Sequence, residues 1–116
     1  MTLRIGTRGS ALALTQAGQI AELITQRTGI PTELIRVVTR GDTNMASLAS
    51  LGGSGVFASA LREALLAGEC DLVVHSMKDL PTGAVPGLEI GAVPERVDAS
   101  DVLCARDGLS LAELPL

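Results

Sequence analysis

Aromatic residues are almost absent from this chain, since Phe57 is the only one and there is no tryptophan or tyrosine. Positive charge is scarce too: 9 lysines and arginines stand against 13 aspartates and glutamates, for a formal net charge of −4. Binding to nucleic acid depends on cations that neutralise phosphates and on aromatic rings that stack on bases. The composition therefore argues against a nucleic-acid partner.

Long apolar runs are also missing. No stretch approaches the roughly 20 residues that a membrane-spanning helix needs, so we expect no membrane segment. The first residues, Met1 to Arg4, lack the basic region and apolar core of a secretory signal. We therefore expect a soluble, cytoplasmic protein whose 116 residues suffice to bury a core.

Cysteine is limited to Cys70 and Cys104. The two residues are far apart in the sequence, show no metal-ligand spacing, and have no neighbouring histidine that would activate a thiol. We interpret both as reduced, mainly structural thiols, and we predict no metal site.

The most informative stretch runs from Asp71 to Pro81. It begins with Leu72-Val73-Val74, a run rich in β-branched residues that predicts a strand buried on both faces, as in a parallel sheet. Four polar or ionisable residues follow before Pro81 ends the segment: His75, Ser76, Lys78 and Asp79. Open α/β sheets bind ligands at the carboxyl ends of their strands, so these four residues are candidates for a site.

Strand and helix patterns alternate along the rest of the chain, and strand, helix, strand is the unit of a parallel sheet. The main predicted elements are a strand at Leu3–Thr7, a helix from Ala11 to about Arg27 ended by Gly29, a strand at Leu34–Val38 and a second helix that Gly68 ends. Weaker strands at Leu88–Val93 and Val102–Ala105 and the start of a helix at Ser110–Leu114 would follow. The predicted fold is α/β, with a mixed but mostly parallel sheet flanked by helices.

Residues 40–53 lack a clear period and form a loop longer than compact domains usually keep without a function. We interpret this loop as a candidate lid, with Asp42, Gly53, Ser54 and Phe57 as its lid and hinge residues. The sequence Gly-Gly-Ser-Gly at 52–55 can either cradle a carboxylate or phosphate through backbone amides or act as a flexible hinge.

Arg8 and Ser10 stand where the first strand meets the first helix. A guanidinium, a hydroxyl and free helix N–H groups can converge there on an anion. The alternative is a solvated arginine beside an ordinary N-cap serine.

Lys78 and Asp79 are the pair of residues in the sequence that most strongly indicates a functional site. A carboxylate at the edge of an apolar sheet can stabilise a cation or move a proton, while an ammonium can bind an acidic substrate. Consecutive residues of an extended backbone point in opposite directions, so we expect two different partners rather than a surface ion pair. His75 is either an acid or base or, more commonly for a histidine leaving a buried strand, a hydrogen-bonded core residue.

Four stretches match a known family in order and at its spacing: residues 4–14, 38–42, 52–57 and 74–81. With them the chain resembles the amino-terminal part of the hydroxymethylbilane synthase family, also called porphobilinogen deaminase. The resemblance implies one lobe of the two-lobed, type II periplasmic-binding-protein architecture. Residues 1–94 would form the amino-terminal catalytic lobe, 95–100 the interdomain connector, and 101–116 the truncated start of a second domain.

The resemblance also implies a transferase of tetrapyrrole biosynthesis, which joins four porphobilinogen units head to tail and releases ammonia at each step. The units grow on a dipyrromethane primer that is bound covalently to the enzyme. Asp79 would hold the pyrrole N–H groups and stabilise the cationic methylene-pyrrolenine that forms when ammonia leaves. The acetate and propionate groups would be bound by Arg8, Ser10 and Lys78, with Ser76 and Arg96 as weaker candidates.

The chain departs from this family in three respects. Ser50 and Ser54 replace lysines that many members carry in the loop, and the primer-attachment cysteine and the arginine-rich second domain have no counterpart here. We therefore expect a fragment that is inactive or nearly so by itself, with porphobilinogen and the remainder of the enzyme as its partners. The alternative is a non-catalytic lobe that binds small carboxylated ligands at its strand ends.

Overall fold

The computed structural model describes residues 1–38 and 56–115, without the side chains of residues 56 and 57. Within these ranges the chain forms three strands and two helices: β1 (Leu3–Thr7), α1 (Ala11–Thr28), β2 (Thr32–Arg36), α2 (Val56–Leu66) and β3 (Leu72–Val73). Single 3₁₀ turns follow at Met77–Asp79, Arg106–Gly108 and Leu111–Glu113. Neither described helix has the length and apolar character needed to cross a membrane.

The three strands form one parallel sheet with β1 in the middle, between β2 and β3. Ile5 of β1 lies opposite Leu34 of β2 on one side and Leu72 of β3 on the other. Parallel neighbours need a crossover connection, which α1 provides between β1 and β2. All three strands therefore end at the same side of the sheet, which we call the carboxyl edge, and the α/β prediction is confirmed.

The core lies where α1 packs on β1. Ile5 and Ala17 are fully buried and Ala21 nearly so, with the partly buried side chains of Ile24, Leu72 and Val74 packed around them. Alanines at the helix surface allow a close approach of α1 to the sheet. This small apolar contact fixes the position of the turn between β1 and α1.

Gly6 of β1 is required by a second close contact. A Cβ atom added there would lie 2.8 Å from Sγ of Cys70 and 2.9 Å from Cγ1 of Val73. Both distances are shorter than non-bonded carbon contacts allow, so β1 and β3 can keep this packing only with glycine at position 6. Cys70 is buried, as expected for a structural thiol, whereas Cys104 is exposed.

The predicted helix ends are confirmed. The Ser10 hydroxyl accepts a hydrogen bond from the backbone N–H of Ala13 at 3.3 Å, and Gly29 ends α1 with a φ of 73°. Gly68, with a φ of 75°, ends α2 in a Schellman motif: its N–H donates to the Leu65 carbonyl, and that of Glu69 donates to the Ala64 carbonyl.

Two strands differ in detail from the prediction. β2 covers Thr32–Arg36, two residues earlier than expected, because pairing with β1 begins immediately at Pro31, whose carbonyl accepts the Leu3 N–H at 2.9 Å. β3 is short, and its residues are only partly buried rather than buried on both faces. Within the described ranges β3 pairs with β1 alone, so its other side stays open.

The strands expected at Leu88–Val93 and Val102–Ala105 are absent, and the described chain after β3 contains no further strand. Ile90 and Val102 are 60% and 82% exposed, so these apolar runs have no sheet to join. The helix expected at Ser110–Leu114 is a single 3₁₀ turn. The Glu113 carboxylate accepts from both the N–H and the hydroxyl of Ser110, and the Glu113 N–H donates to the Ser110 carbonyl at 3.0 Å, so the two residues close the turn.

Candidate functional site

The turn between β1 and α1 places Arg8 and Ser10 at the carboxyl edge. Thr7 is buried and its hydroxyl donates to the Arg8 carbonyl at 3.0 Å, which holds the backbone of the turn. Arg8 is partly buried, with its Nε atom inside the protein. Because Ser10 caps α1 as an acceptor, its own hydroxyl proton stays available for a ligand.

Arg36 brings a second guanidinium to the same turn, and the sequence analysis missed it. It is the last residue of β2, it is exposed, and its guanidinium lies so close to Gly9 that any Cβ at position 9 would overlap it. The predicted strand ran two residues too far, which hid the fact that Arg36 ends a strand. A correct register for β2 would have placed Arg36 at the strand end, but would not have shown its contact with Gly9.

The turn after β3 carries Ser76, Lys78 and Asp79. Ser76 has extended backbone, with φ −69° and ψ 132°, and its carbonyl accepts the N–H of Asp79 at 2.9 Å to close the 3₁₀ turn Met77–Asp79. The extended conformation assumed for Lys78 and Asp79 is therefore wrong, since neighbours in a 3₁₀ turn diverge by about 120°. Even so, Lys78 is exposed and Asp79 partly buried, and no ion pair joins them among the described residues.

His75 follows β3 and precedes the 3₁₀ turn that carries Lys78 and Asp79. It is half-buried, and its Nε2 atom is buried without a hydrogen-bond partner in the described part of the chain, so it is not the hydrogen-bonded core residue that is commoner at such positions. Burial lowers the pKa of His75 below its ordinary value of 6.5; Asp79 opposes this shift, while the guanidiniums of Arg62 and Arg8 reinforce it. His75 is therefore neutral at pH 7. Arg62, on α2, influences His75 and is, after Arg36, a second cation near this edge that the sequence pattern did not predict.

The remaining predicted site residues are not brought to this edge by the described structure. Arg96 lies in an exposed segment without regular secondary structure, and no hydrogen bond or ion pair connects it to another described residue. Asp42, Gly53 and Ser54 lie outside the described residues, and so does the side chain of Phe57, whose backbone belongs to the first turn of α2.

Each strand that ends at the carboxyl edge is therefore ended or followed by one cation, namely Arg8, Arg36 and Lys78, and the same turns carry the hydroxyl of Ser10 and the carboxylate of Asp79. Guanidinium and ammonium groups bind carboxylates, and hydroxyl groups add a neutral donor. A carboxylate beside them suits a cationic or N–H-bearing part of the same ligand. Such a site fits a small molecule with several carboxylates and at least one N–H group.

The chain is similar in sequence to known proteins. The family model described as porphobilinogen deaminase, dipyromethane cofactor binding domain, matches residues 3–116. The porphobilinogen deaminase of Leifsonia xyli subsp. xyli is 60% identical over 113 residues, which make up 97% of this chain and 34% of that protein. That of Micrococcus luteus is 61% identical over 113 residues, 97% of this chain and 30% of that protein.

A third relative, the porphobilinogen deaminase of Mycobacterium bovis, is 52% identical over 114 residues, 98% of this chain and 36% of that protein. The chain thus spans about a third of the length of the curated relatives it matches. The family model covers the chain almost from end to end, and these relatives are identical to it at more than half of the aligned residues. The chain therefore belongs to the porphobilinogen deaminase family.

Proposed function

We propose that this chain is the amino-terminal catalytic lobe of a hydroxymethylbilane synthase and that Asp79 is its catalytic residue. One observation carries the proposal: Asp79 is a partly buried carboxylate whose side chain has no hydrogen bond or ion pair within the described residues, at an edge otherwise rich in cations. A carboxylate kept in this state is ready to accept hydrogen bonds from a ligand.

Porphobilinogen matches the edge group by group. It is a pyrrole with one ring N–H, an aminomethyl group, an acetate and a propionate. Asp79 would accept from the ring N–H, and Arg8, Ser10 and Lys78 would bind the two carboxylates, with Ser76 as a further hydroxyl donor. Arg36 extends this set, since its guanidinium shares the turn with Arg8.

The carboxylate of Asp79 would act when ammonia leaves. The aminomethyl group of the substrate leaves in its protonated form: the bond between the methylene carbon and the ammonium nitrogen breaks, ammonia takes the bonding electrons, and the positive charge passes to the methylene-pyrrolenine. A fixed carboxylate beside the ring nitrogen stabilises that charge as it develops, and partial burial strengthens the interaction relative to water.

The described donors also fit the dipyrromethane named in the family description. A dipyrromethane built from two such pyrroles carries two N–H groups and four carboxylates, so it needs one acceptor and several cations, which Asp79, Arg8, Arg36 and Lys78 offer. When bound, this group supplies the pyrrole carbon to which the next unit is joined. Cys70 is buried against Gly6 and burial raises the pKa of its thiol, so it is unsuited to carry the group.

The proposal retains the division into a lobe of residues 1–94, a connector at 95–100 and a following segment at 101–116. Residues 95–100 are exposed and have no regular secondary structure, which suits a connector. Roles for Arg96 and for the lid and hinge residues Asp42, Gly53, Ser54 and Phe57 belong to the same proposal, as does a cytoplasmic location.

The experiment that tests the proposal mixes this chain with the separately produced remainder of a relative that carries its primer. Porphobilinogen consumption and ammonia release are measured for the wild type, Asp79→Ala and the matched control Glu33→Gln, which removes an exposed carboxylate from β2. We expect turnover with the wild type and the control, and a loss of about 100-fold or more with Asp79→Ala.

Retained turnover in Asp79→Ala would overturn the catalytic assignment. If the mixture binds porphobilinogen without releasing ammonia, and Asp79→Ala binds it equally well or better, the lobe is instead a non-catalytic module for small carboxylated ligands. Loss of one negative charge would then favour the anionic ligand. A catalytic Asp79 therefore predicts a loss of turnover in Asp79→Ala, whereas a non-catalytic module predicts equal or tighter binding.

A further inference from the structure

His75 is the only histidine of the chain, and its ring holds a buried polar atom that nothing described so far uses. It follows β3 directly and precedes the turn that carries Asp79. Buried polar side-chain atoms nearly always have a hydrogen-bond partner, yet Nε2 has none in the described part of the chain. A buried atom in this state indicates a hydrogen-bond partner that arrives with a ligand.

The charges around His75 indicate the sign of that acceptor. Three ionised groups influence the ring, each on a different element: Asp79 on the turn after β3, Arg62 on α2 and Arg8 on the turn after β1. Their sum is one positive charge, so the neighbourhood attracts an anion. An N–H group that is influenced by two guanidiniums and lies next to the proposed ligand site therefore suits a carboxylate oxygen.

We propose that His75 is a further substrate-binding residue, a neutral imidazole that donates a hydrogen bond from Nε2 to a carboxylate of bound porphobilinogen, with Arg62 as its positively charged neighbour. The inference rests on the proposed function for the identity of the ligand. It adds a polar donor to the site without adding a charge.

The neutral state of the His75 imidazole leaves the Asp79 carboxylate available to the substrate. An imidazolium at this position would be drawn to the Asp79 carboxylate, the only negative group among its three charged neighbours, and would compete there with the pyrrole N–H. Partial burial and the two guanidiniums disfavour the imidazolium, so His75 donates to the ligand and Asp79 remains open. In this arrangement His75 binds a carboxylate of the substrate, and Asp79 binds its pyrrole N–H group.

The test is a nitrogen-15 NMR titration of the 116-residue chain, in which a single histidine gives unambiguous imidazole signals. We expect a pKa below 6.5 and a proton on Nε2 at pH 7.5. Arg62→Gln should raise this pKa and Asp79→Asn should lower it further, while the control Arg27→Gln, at the exposed end of α1, should leave it unchanged. Saturating porphobilinogen should shift the Nε2 resonance.

A pKa at or above 6.5, a proton on Nδ1, or an Nε2 resonance that does not move when porphobilinogen binds would overturn the inference. None of these readouts requires turnover, so a failure of the proposed catalysis is distinguishable: ammonia release would be lost while the Nε2 shift persisted. If the chain does not bind porphobilinogen at all, both the inference and the proposed function are wrong.

Kinetics of the complemented enzyme separate binding from a structural role. His75→Phe keeps a ring of similar size but removes the donor, so KM for porphobilinogen should rise about tenfold with little change in kcat. His75→Gln retains an N–H donor and should restore KM to within about threefold of the wild type. Equal losses in both variants, or a fall confined to kcat, would contradict the assignment.

Discussion

The two edges of the parallel sheet use the same residue types for opposite purposes. The opposite side of the sheet, where the strands begin, we call the amino edge. There Arg4 and Asp71 form an ion pair: Nη2 of Arg4 lies 2.8 Å from Oδ1 of Asp71, and Nε of Arg4 donates to Oδ2 at 3.1 Å. The same Oδ2 accepts the backbone N–H of Arg4 at 2.8 Å, and Nη1 donates to the Glu69 carbonyl. This network joins β1 to the chain entering β3.

At the carboxyl edge, Lys78 and Asp79 are chain neighbours and remain apart, and Arg36 has no ion pair with a described residue. Nε2 of His75 adds a buried polar atom without a hydrogen-bond partner in the same ranges. Groups left in this condition do not stabilise the fold, and functional sites are where such exceptions concentrate. The amino edge thus holds the strands together, whereas the carboxyl edge leaves charged groups without partners among the described residues, as the proposed ligand site requires.

The largest effect should come from a substitution in β1, the strand that links both edges. Gly6→Ala inserts a methyl group against Cys70 and Val73, and we expect the free energy of unfolding to fall by about 1–3 kcal/mol because the packing is already close. Urea denaturation measures this change. Porphobilinogen binding should weaken too, since β3 carries the turn of Asp79.

Gly18→Ala is the matched control for this substitution. Gly18 lies within α1, and an added Cβ would meet no atom within 4 Å. Alanine there should raise the free energy of unfolding by about 0.5–1 kcal/mol, because it restricts the unfolded chain and suits a helix better. Equal effects of the two substitutions would show that the contact between Gly6 and Cys70 does not limit the packing.

Removing single positive charges should have smaller effects, and these effects should differ between the two edges. Lys78→Gln and Arg36→Gln should each weaken porphobilinogen binding about two- to fivefold, the range expected for exposed charges, and the effect should shrink as salt is added. Isothermal titration calorimetry at two salt concentrations measures it. The control is Arg4→Gln, which removes a cation from the amino edge.

Arg4→Gln should lower stability while leaving the affinity unchanged. The reverse result, in which Arg4→Gln weakens binding as much as the other two variants, would mean that net charge rather than position governs the affinity. The distinction between the edges would then be lost for ligand binding.

The sequence was sufficient for those parts of the fold that depend on local chemistry. Ser10, Gly29 and Gly68 mark helix ends because capping involves residues only a few positions apart. The alternation of strand and helix predicted a parallel sheet, since each apolar run needs a neighbour that a crossover helix brings beside it. The resemblance of the four motifs then identified the family.

The features that sequence reasoning missed depend on partners distant in the chain. The run Leu88–Val93 has strand-like residues, but a strand also needs a neighbouring strand, and the described chain provides none there. Arg36 joined the site only through its contact with Gly9, and Arg62 only through its proximity to His75. No local pattern reports such proximity.

The smallest effect should appear in the acid stability of the amino edge. Hydrogen bonds from Arg4 lower the pKa of Asp71 below its ordinary 3.8, so the folded state favours the carboxylate. The stabilisation from this pair is therefore complete above that ordinary value and is lost as the pH falls through the lower value of the folded state. Asp71→Asn should be less stable than the wild type at pH 7, and the difference should close below about pH 4.

Urea midpoints of both proteins at pH 7, 5 and 3 measure this difference, and the contribution of His75 cancels because both proteins contain it. Asp107→Asn is the control: Asp107 contacts Arg106 only at 3.6 Å with both side chains exposed, so its removal should change little at any pH. A gap between wild type and Asp71→Asn that stays constant down to pH 3 would show that the carboxylate charge is not what joins β1 to β3. At the amino edge, side-chain packing and backbone hydrogen bonds would then join β1 to β3. One of these bonds runs from the Asp71 N–H to the Arg4 carbonyl at 2.8 Å.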